Sequence, residues 1–325
     1  MSALSPKRDH GGGLDAAAAR FGGAREDWLD LSTGINPVAY PVGDVPRDLW
    51  GRLPDEAAMT RLLHAARAFW GVPDEVEIIA AAGASALIAR MPDLVDLGQQ
   101  SGAYIPAPTY NEHAAAFAAR GTLGNPMDPE NPVHVYVHPN NPDGRLWPAS
   151  AIGNRPLSIV DESFCDTVPE RSHIALAGQP GVIVLKSFGK FWGLAGLRLG
   201  FAMALPATFS PSVSLRELLG PWPVSGPALE IGARALEDQE WAVATRARLF
   251  KDATRLDVMM QAAGAELVGG TSLFRTYSLR EDALIWQERL ARHHIWTRIF
   301  PYSATWIRLG LPGTEVDWAR LEAAL

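Results

Sequence analysis

An open α/β protein, with a mostly parallel sheet in a large domain and a smaller α+β domain, is the fold the sequence predicts. Three observations predict it. Short, almost continuous apolar runs alternate with helical patterns through the middle of the chain. Polar segments bearing glycine or proline follow most of those runs directly. Beyond GPWPVSGP at residues 220–227 the pattern changes to one long helical stretch and then to mixed short elements.

The predicted strands are Glu77–Ala81, Val133–Val137, Leu157–Val160, Val182–Leu185 and Leu199–Ala204. Their apolar character on both alternating faces suits strands covered on both sides, as in a parallel sheet. GAS follows the first strand, HPNNPDG the second, DES the third and KSFGK the fourth. Ligands of open α/β sheets sit at the carboxyl ends of the strands, so these segments converge on one edge. From about Ala228 to Ala263 the apolar positions Leu229, Ile231, Leu236, Leu249 and Leu256 predict a single long helix. The expected organisation is an N-terminal arm over residues 1–40 that packs on the small domain, a large domain over 41–222 and a small domain over 223–325. The proline-rich stretch 220–227 would be the hinge.

With 325 residues the chain can bury a large core, and 47% hydrophobic with 20% charged residues is ordinary for a globular protein. A net charge of -7 offers no basic stripe to displace counterions, which argues against nucleic acid as a partner. One cysteine, Cys165, excludes an intrachain disulfide framework and fits a cytoplasmic setting. The opening MSALSPKRDH has no apolar core of a secretory signal, and the longest apolar stretch, Ile78 to Ala89, is far short of the roughly 20 residues of a membrane span. No membrane partner is expected. His293 and His294 have no companions at metal-ligand spacing and are expected at the surface, and no metal is expected.

Lysine is scarce: only Lys7, Lys186, Lys190 and Lys251 occur. Lys190 follows a buried strand and lies between glycines among aromatic residues. Desolvation there favours a neutral, nucleophilic amine, although a surface loop lysine is an equal reading of the spacing alone. Arg198 is a permanent charge with forked donors suited to phosphate, and Ser187 can add a hydroxyl; a structural ion pair is the plainer alternative for the arginine. Asp161 ends a strand, where it can pair with a protonated pyridine nitrogen or simply shape a turn. Asn141, in HPNNPDGR, carries an amide on a tight turn that can bond a phenolate oxygen. Gly83, Ala84 and Ser85 pass from strand to helical pattern, where small residues let backbone amides approach a phosphate. Tyr110, in APTYNEH, can stack on a flat aromatic ring or serve packing alone.

Taken in order, a glycine at a strand-to-helix turn, an aromatic residue, NNP-x-G, D-E-x-F and S-x-x-K-x7-R resemble the fold-type I pyridoxal-phosphate enzymes, those with the aspartate-aminotransferase fold. The resemblance implies that Lys190 carries pyridoxal 5'-phosphate as a Schiff base and that Asp161 pairs with the pyridine nitrogen. It further implies that Asn141 bonds the phenolate oxygen, that Tyr110 stacks on the ring, and that Gly83, Ala84, Ser85, Ser187 and Arg198 hold the phosphate. A homodimer is implied as well.

NNPDG, VDESF and KFWGLAGLRLGF are similar to the branch that holds histidinol-phosphate aminotransferases and threonine-phosphate decarboxylases. HGGGLDAAAARFG followed by WLDLSTGINP, together with Phe164, resembles the decarboxylases of cobalamin biosynthesis, with IWTRIFPYSATWIRLGLPG closest to the aerobic form. That resemblance implies decarboxylation of L-threonine O-3-phosphate, a phosphorylated amino acid, to (R)-1-amino-2-propanol O-2-phosphate. Arg308 would bind the substrate carboxylate, with Arg298, His10 and Asn36 near its phosphate. An aminotransferase of the histidinol-phosphate type is the alternative, and a silent binding domain of the same fold a remoter one. Three positions depart from the wider family: Gly189 where a hydroxyl residue precedes the lysine, Leu53 where a partner subunit's tyrosine reaches the phosphate, and Phe164 in place of tyrosine.

Overall fold

The computed structural model describes residues 10–94, 102–209 and 213–325, so Lys7 and the first residues of the arm lie outside the described residues. The chain packs as two units, Val38–Phe250 and a second made of residues up to Pro37 with Lys251–Leu325.

The unit Val38–Phe250 is built on six strands: β1 Glu77–Ala81, β2 Ala103–Tyr104, β3 Val133–Val137, β4 Leu157–Asp161, β5 Val182–Ser187 and β6 Gly200–Ala204. Their order across the sheet is β1-β6-β5-β4-β3-β2. Strands β2 to β5 run parallel, as the apolar runs predict for β3, β4 and β5; β2, two residues long, is a sixth strand that the apolar runs do not predict. β6 departs from that expectation, for it runs antiparallel to both β5 and β1. The cause is local: after β5 the chain doubles back within a dozen residues, and Phe188 N–H donates to the Leu199 carbonyl at 3.1 Å to close the reversal. β4 and β5 also run to Asp161 and Ser187, beyond the predicted ends at Val160 and Leu185, so these side chains are fixed by strand backbone rather than by loops. Ile79, Leu87, Ile159, Ile183, Leu185 and Phe117 form the buried core on one face of the sheet, with side chains at 0–3% exposure.

The predicted single helix over 228–263 is two helices, α4 Gly226–Glu237 and α5 Gln239–Ala262, which follow α1 Glu56–Trp70, α2 Ala84–Ile88 and α3 Asn111–Ala119. Asp238 makes the break. Its backbone leaves the helical region (φ -93°, ψ 77°), and its carboxylate accepts from Trp241 N–H at 2.9 Å to start the next helix. The packing boundary falls within α5, not at 222/223. α4 belongs with the sheet because Arg61 of α1 pairs with Glu230 and Glu237 at 2.9 and 2.7 Å, and Gly232 lies against Leu62 and Leu199. The boundary near the N-terminus falls at Pro37 rather than residue 40.

In the second unit, β7 Glu266–Thr271, β8 Phe274–Ser278, β9 Arg298–Phe300 and β10 Ser303–Gly310 form an antiparallel sheet in the order β9-β10-β8-β7. Residues Leu29–Asp30 pair in parallel with Ile295–Trp296, and Phe21, Trp28 and Trp296 meet with ring centroids 6.3–6.5 Å apart. His293 is exposed, as expected, but His294 is half-buried with its ring 5.0 Å from Trp28. Gly11 and Gly310 allow close backbone approaches here: a Cβ at either would lie 2.4 Å from the Ser32 or Thr33 carbonyl oxygen, respectively.

Candidate active site

The strand ends of the unit Val38–Phe250 deliver their side chains to one pocket. Ala84, Ser85, Tyr110, Asn141, Asp161, Ser187, Lys190 and Arg198 all line it, with Ser163, Phe164 and Gly189 beside them. Alternation explains the convergence: Asp161 and Ser187 share the face of Ile159, Ile183 and Leu185, whereas Glu162 and Lys186 face the other way. Gly83 is the one cofactor residue expected from sequence that does not line the pocket itself. It stands behind Arg198, whose guanidinium occupies the space where a Cβ would be: Nη2 would lie 2.5 Å from it.

Asp161 is 2% exposed and carries the site's fixed negative charge. Burial alone would raise its pKa, but His113 and Ser163 outweigh that and hold the carboxyl below its ordinary range. His113 Nε2 lies 2.9 Å from Oδ2, while Ser163 donates to Oδ1 from its hydroxyl at 2.5 Å and its N–H at 3.0 Å. His113 and Ser163 escaped the sequence reading. The signal for His113 is the spacing Tyr110-x-x-His113, which puts the imidazole in the first turn of α3, its ring 6.2 Å from the tyrosine.

Two lysines of this unit, Lys186 and Lys190, are four residues apart but unlike in environment. Lys186 is 1% exposed, with Nζ 2.7 Å from Glu162 Oε2 and 3.5 Å from Asp166 Oδ1. Burial opposes its charge, yet the two carboxylates prevail and push its pKa above the ordinary lysine range. An amine held as ammonium on the far face of the sheet is no nucleophile. Lys190 reaches into the pocket, where its Nζ lies over the Phe164 ring, 5.4 Å from the centroid.

Asn140 prepares Asn141. Fully buried, Asn140 donates to the Pro108 carbonyl at 2.9 Å and accepts from the Thr109 hydroxyl at 2.6 Å. The NNP turn is thereby pinned to the residues just before Tyr110, so the amide of Asn141 and the ring of Tyr110 keep one spacing. The sequence reading took only the second asparagine as functional.

These residues fit pyridoxal phosphate. A reachable amine faces the pocket together with a carboxylate kept ionised, an aromatic ring and an amide. At one end the α2 terminus, Ser85, Ser187 and the Arg198 guanidinium gather as a phosphate would require, and Ser187 Oγ already accepts from Gly189 N–H at 3.3 Å. Gly189 supplies no hydroxyl, and that of Ser163 is spent on Asp161. Gly83 has φ +86°, and replacing it with alanine is expected to cost about 1–3 kcal/mol through backbone strain and to displace Arg198. A lowered melting temperature together with weakened phosphate binding checks this.

In the second unit, Arg298 of β9 and Arg308 of β10 are direct cross-strand partners and so share a face. Arg308 is 5% exposed and donates from Nη2 to the Ser32 carbonyl at 2.7 Å; burial, with Arg298 nearby, pushes its guanidinium down to about 10. Arg298 donates to the His10 carbonyl at 2.6 Å, and Asn36 is 2% exposed. Two like charges side by side suit this face to an anion, with the Asp30 carboxylate already offsetting part of their repulsion.

The family model for aminotransferase class I and II matches residues 128–325. The chain belongs to that family. It is 39% identical over 331 residues to a threonine-phosphate decarboxylase of Sinorhizobium sp, covering 97% of both chains. It is 37% identical to one of Pseudomonas aeruginosa, covering 98% of this chain and 97% of the other. Among solved structures, histidinol-phosphate aminotransferase of Sinorhizobium meliloti in complex with pyridoxal-5'-phosphate superposes with a TM-score of 0.79 at 20% identity over 100% of this chain and 98% of that one.

Proposed function

We propose that this chain is a pyridoxal-phosphate-dependent lyase that decarboxylates L-threonine O-3-phosphate to (R)-1-amino-2-propanol O-2-phosphate, a step of cobalamin biosynthesis, as a cytoplasmic homodimer. The observation that carries the chemistry is the single pocket in which Lys190, Asp161, Asn141, Tyr110 and Arg198 meet. The near full-length identity to two threonine-phosphate decarboxylases supports the choice of substrate.

When bound, pyridoxal phosphate supplies an aldehyde for imine exchange and a ring that takes up the electron pair of a breaking bond at the substrate's α-carbon. Lys190 would hold the cofactor through its amine, which is also placed to move a proton at the substrate's α-carbon. Asp161 keeps the pyridine nitrogen protonated, since its own carboxyl stays ionised under the hold of His113 and Ser163. Asn141 would donate to the phenolate oxygen and Tyr110 would cover the ring. Ser85, Ser187 and Arg198 would bind the phosphate, and Gly83 leaves room for the Arg198 guanidinium. Arg308 takes the substrate carboxylate in its fork, while Arg298, His10 and Asn36 take the substrate phosphate. Decarboxylation and transamination differ in which bond to the α-carbon breaks, so the residue that orients the carboxylate, Arg308, selects between them.

Arg308→Gln is expected to remove about 2–5 kcal/mol of binding, raising KM for threonine phosphate by about 30-fold or more in steady-state assays. Arg308→Lys would not restore it, because a point charge lacks the two parallel donors. The homodimer draws support from the exposed apolar side chains Trp50, Leu53 and Trp222 at 71%, 63% and 56% exposure; light scattering of purified protein tests it.

The second reading is an aminotransferase of the histidinol-phosphate type, favoured by the likeness in fold. Incubation with threonine phosphate separates the two. Carbon dioxide released without 2-oxoglutarate supports the lyase, and turnover that requires a keto acid refutes it.

A further inference from the structure

On the face of the sheet opposite the pocket lies a buried cluster for which the proposed reaction has no use. Lys186, Glu162 and Asp166 are 1%, 1% and 3% exposed, and Lys186 Nζ bridges the two carboxylates at 2.7 and 3.5 Å. Every other polar atom is committed too. Glu162 accepts from the Ser172 hydroxyl at 2.6 Å and from His173 N–H at 2.5 Å. Asp166 accepts from the indole N–H groups of Trp70 at 2.8 Å and Trp192 at 3.2 Å, and its carbonyl accepts from Arg246 Nε at 2.8 Å. His138, Glu162 and Cys165 stand close enough to suggest a metal site. His138, however, spends Nδ1 on Trp147 N–H and Nε2 on the Arg171 carbonyl, so the cluster is closed to a metal ion.

A buried charged cluster is weak evidence of stability, because well-packed apolar residues commonly do as well. What this one has is position. Glu162 follows Asp161 at the end of β4, and Lys186 stands before Ser187 at the end of β5, so their ion pair ties the two strand ends together from behind. Asp166 extends the tie to the turn that carries Lys190. Trp192, two residues beyond that lysine, bonds Asp166 and is stacked between Phe188 and Trp241 at 5.1 and 5.3 Å, with planes 11° and 13° apart. Phe191, directly after Lys190, lies under the Arg246 guanidinium at 5.2 Å. The flanks of Lys190 are thus fixed to the back of the sheet while its amine faces the front.

We propose that Lys186, Glu162 and Asp166 are positioning residues, a brace on the blind face of the sheet that sets the spacing between the Asp161 carboxylate and the Lys190 amine. The inference rests on the reading of Lys190 and Asp161 as the cofactor's partners. A 1 Å error in such a spacing can cost about 100-fold in rate, whereas a slightly altered brace need not unfold the protein.

The test uses full-length protein carrying the double substitution Lys186→Met with Glu162→Gln, which removes the ion pair and leaves the Asp166 carboxylate held by the indole N–H groups of Trp70 and Trp192. The glutamine keeps an oxygen that accepts from His173 N–H, while its amide N–H2 turns the other contact round and donates to the Ser172 hydroxyl oxygen. The expected result is a cofactor-free melting temperature close to that of the wild type. With it come a dissociation constant for pyridoxal phosphate raised by at least about tenfold and a displaced pH midpoint of the bound cofactor's absorbance. Trp192→Phe, which keeps the stack and loses the bond to Asp166, is expected to move the same midpoint and serves if the double variant does not fold. An unchanged dissociation constant and midpoint in a folded variant, whatever its melting temperature, overturns the brace alone. Wild-type protein that takes up no pyridoxal phosphate overturns both the brace and the reading beneath it.

Discussion

Replacing Lys190 with alanine is expected to abolish the covalent attachment of pyridoxal phosphate and to lower turnover by about 10⁴-fold or more, the scale seen when a covalent group is removed from a catalytic unit. Borohydride reduction of the wild type, followed by peptide mass analysis, should label Lys190. In the variant it should label nothing in the unit Val38–Phe250, although Lys186 is only four residues away. Proximity in sequence counts for little here. Lys186 faces the opposite side of the sheet and is held protonated between two carboxylates 2.7 and 3.5 Å away. Labelling of Lys186 in the variant would refute that account of its amine, and labelling of any side chain but Lys190 in the wild type would refute the proposed function.

The second large effect is expected at Asp161. Asp161→Asn keeps the shape and an oxygen for the two bonds from Ser163, and its amide N–H2 would face His113 Nε2 as donor, but it removes the charge that keeps a pyridine nitrogen protonated. Turnover should fall by about 10³-fold, as for loss of a preorganised charge partner, while Lys190 still binds the cofactor. Absorbance near the visible band with negligible rate would be the signature; a rate near wild type would exclude Asp161 from its assigned place. The same residue gives a stability test. Its folded-state pKa lies below the unfolded value of 3.8, so the stabilisation is present above pH 3.8 and is lost as pH falls through the depressed folded value. Wild-type melting temperature should therefore drop more steeply than that of Asp161→Asn as pH falls from about 5 to 3. Parallel curves would contradict the depressed pKa.

Five of the six strands of the central sheet were legible because they are apolar on both faces and because four of them end on a short polar segment with its own chemistry; the two-residue strand Ala103–Tyr104 is too short to show a pattern. Lys190, Asp161 and Arg198 could be named from spacing and resemblance, and the fold does bring them into one pocket. The direction of β6 was not legible, since apolar runs carry no sign; only the reversal closed by Phe188 and Leu199 turns it antiparallel. Nor was the break at Asp238, where one side chain caps a new helix inside an otherwise unbroken helical pattern. His113, Ser163 and Asn140 were missed for a common reason. Each acts through a partner brought to it by a turn or by the fold, and a lone polar residue in sequence looks the same whether or not that partner arrives.

The neighbouring carboxylates at the end of β4 face opposite ways, Asp161 toward the pocket and Glu162 toward Lys186. A strand whose side chains alternate has no neutral way to gain or lose one residue. Deleting a single residue between Leu157 and Val160 would rotate the strand end by half a turn, send the longer acid into the pocket and strand the shorter one against the lysine. Length changes in this protein should accordingly be confined to its outer loops, while β4 keeps its residue count even where its side chains vary.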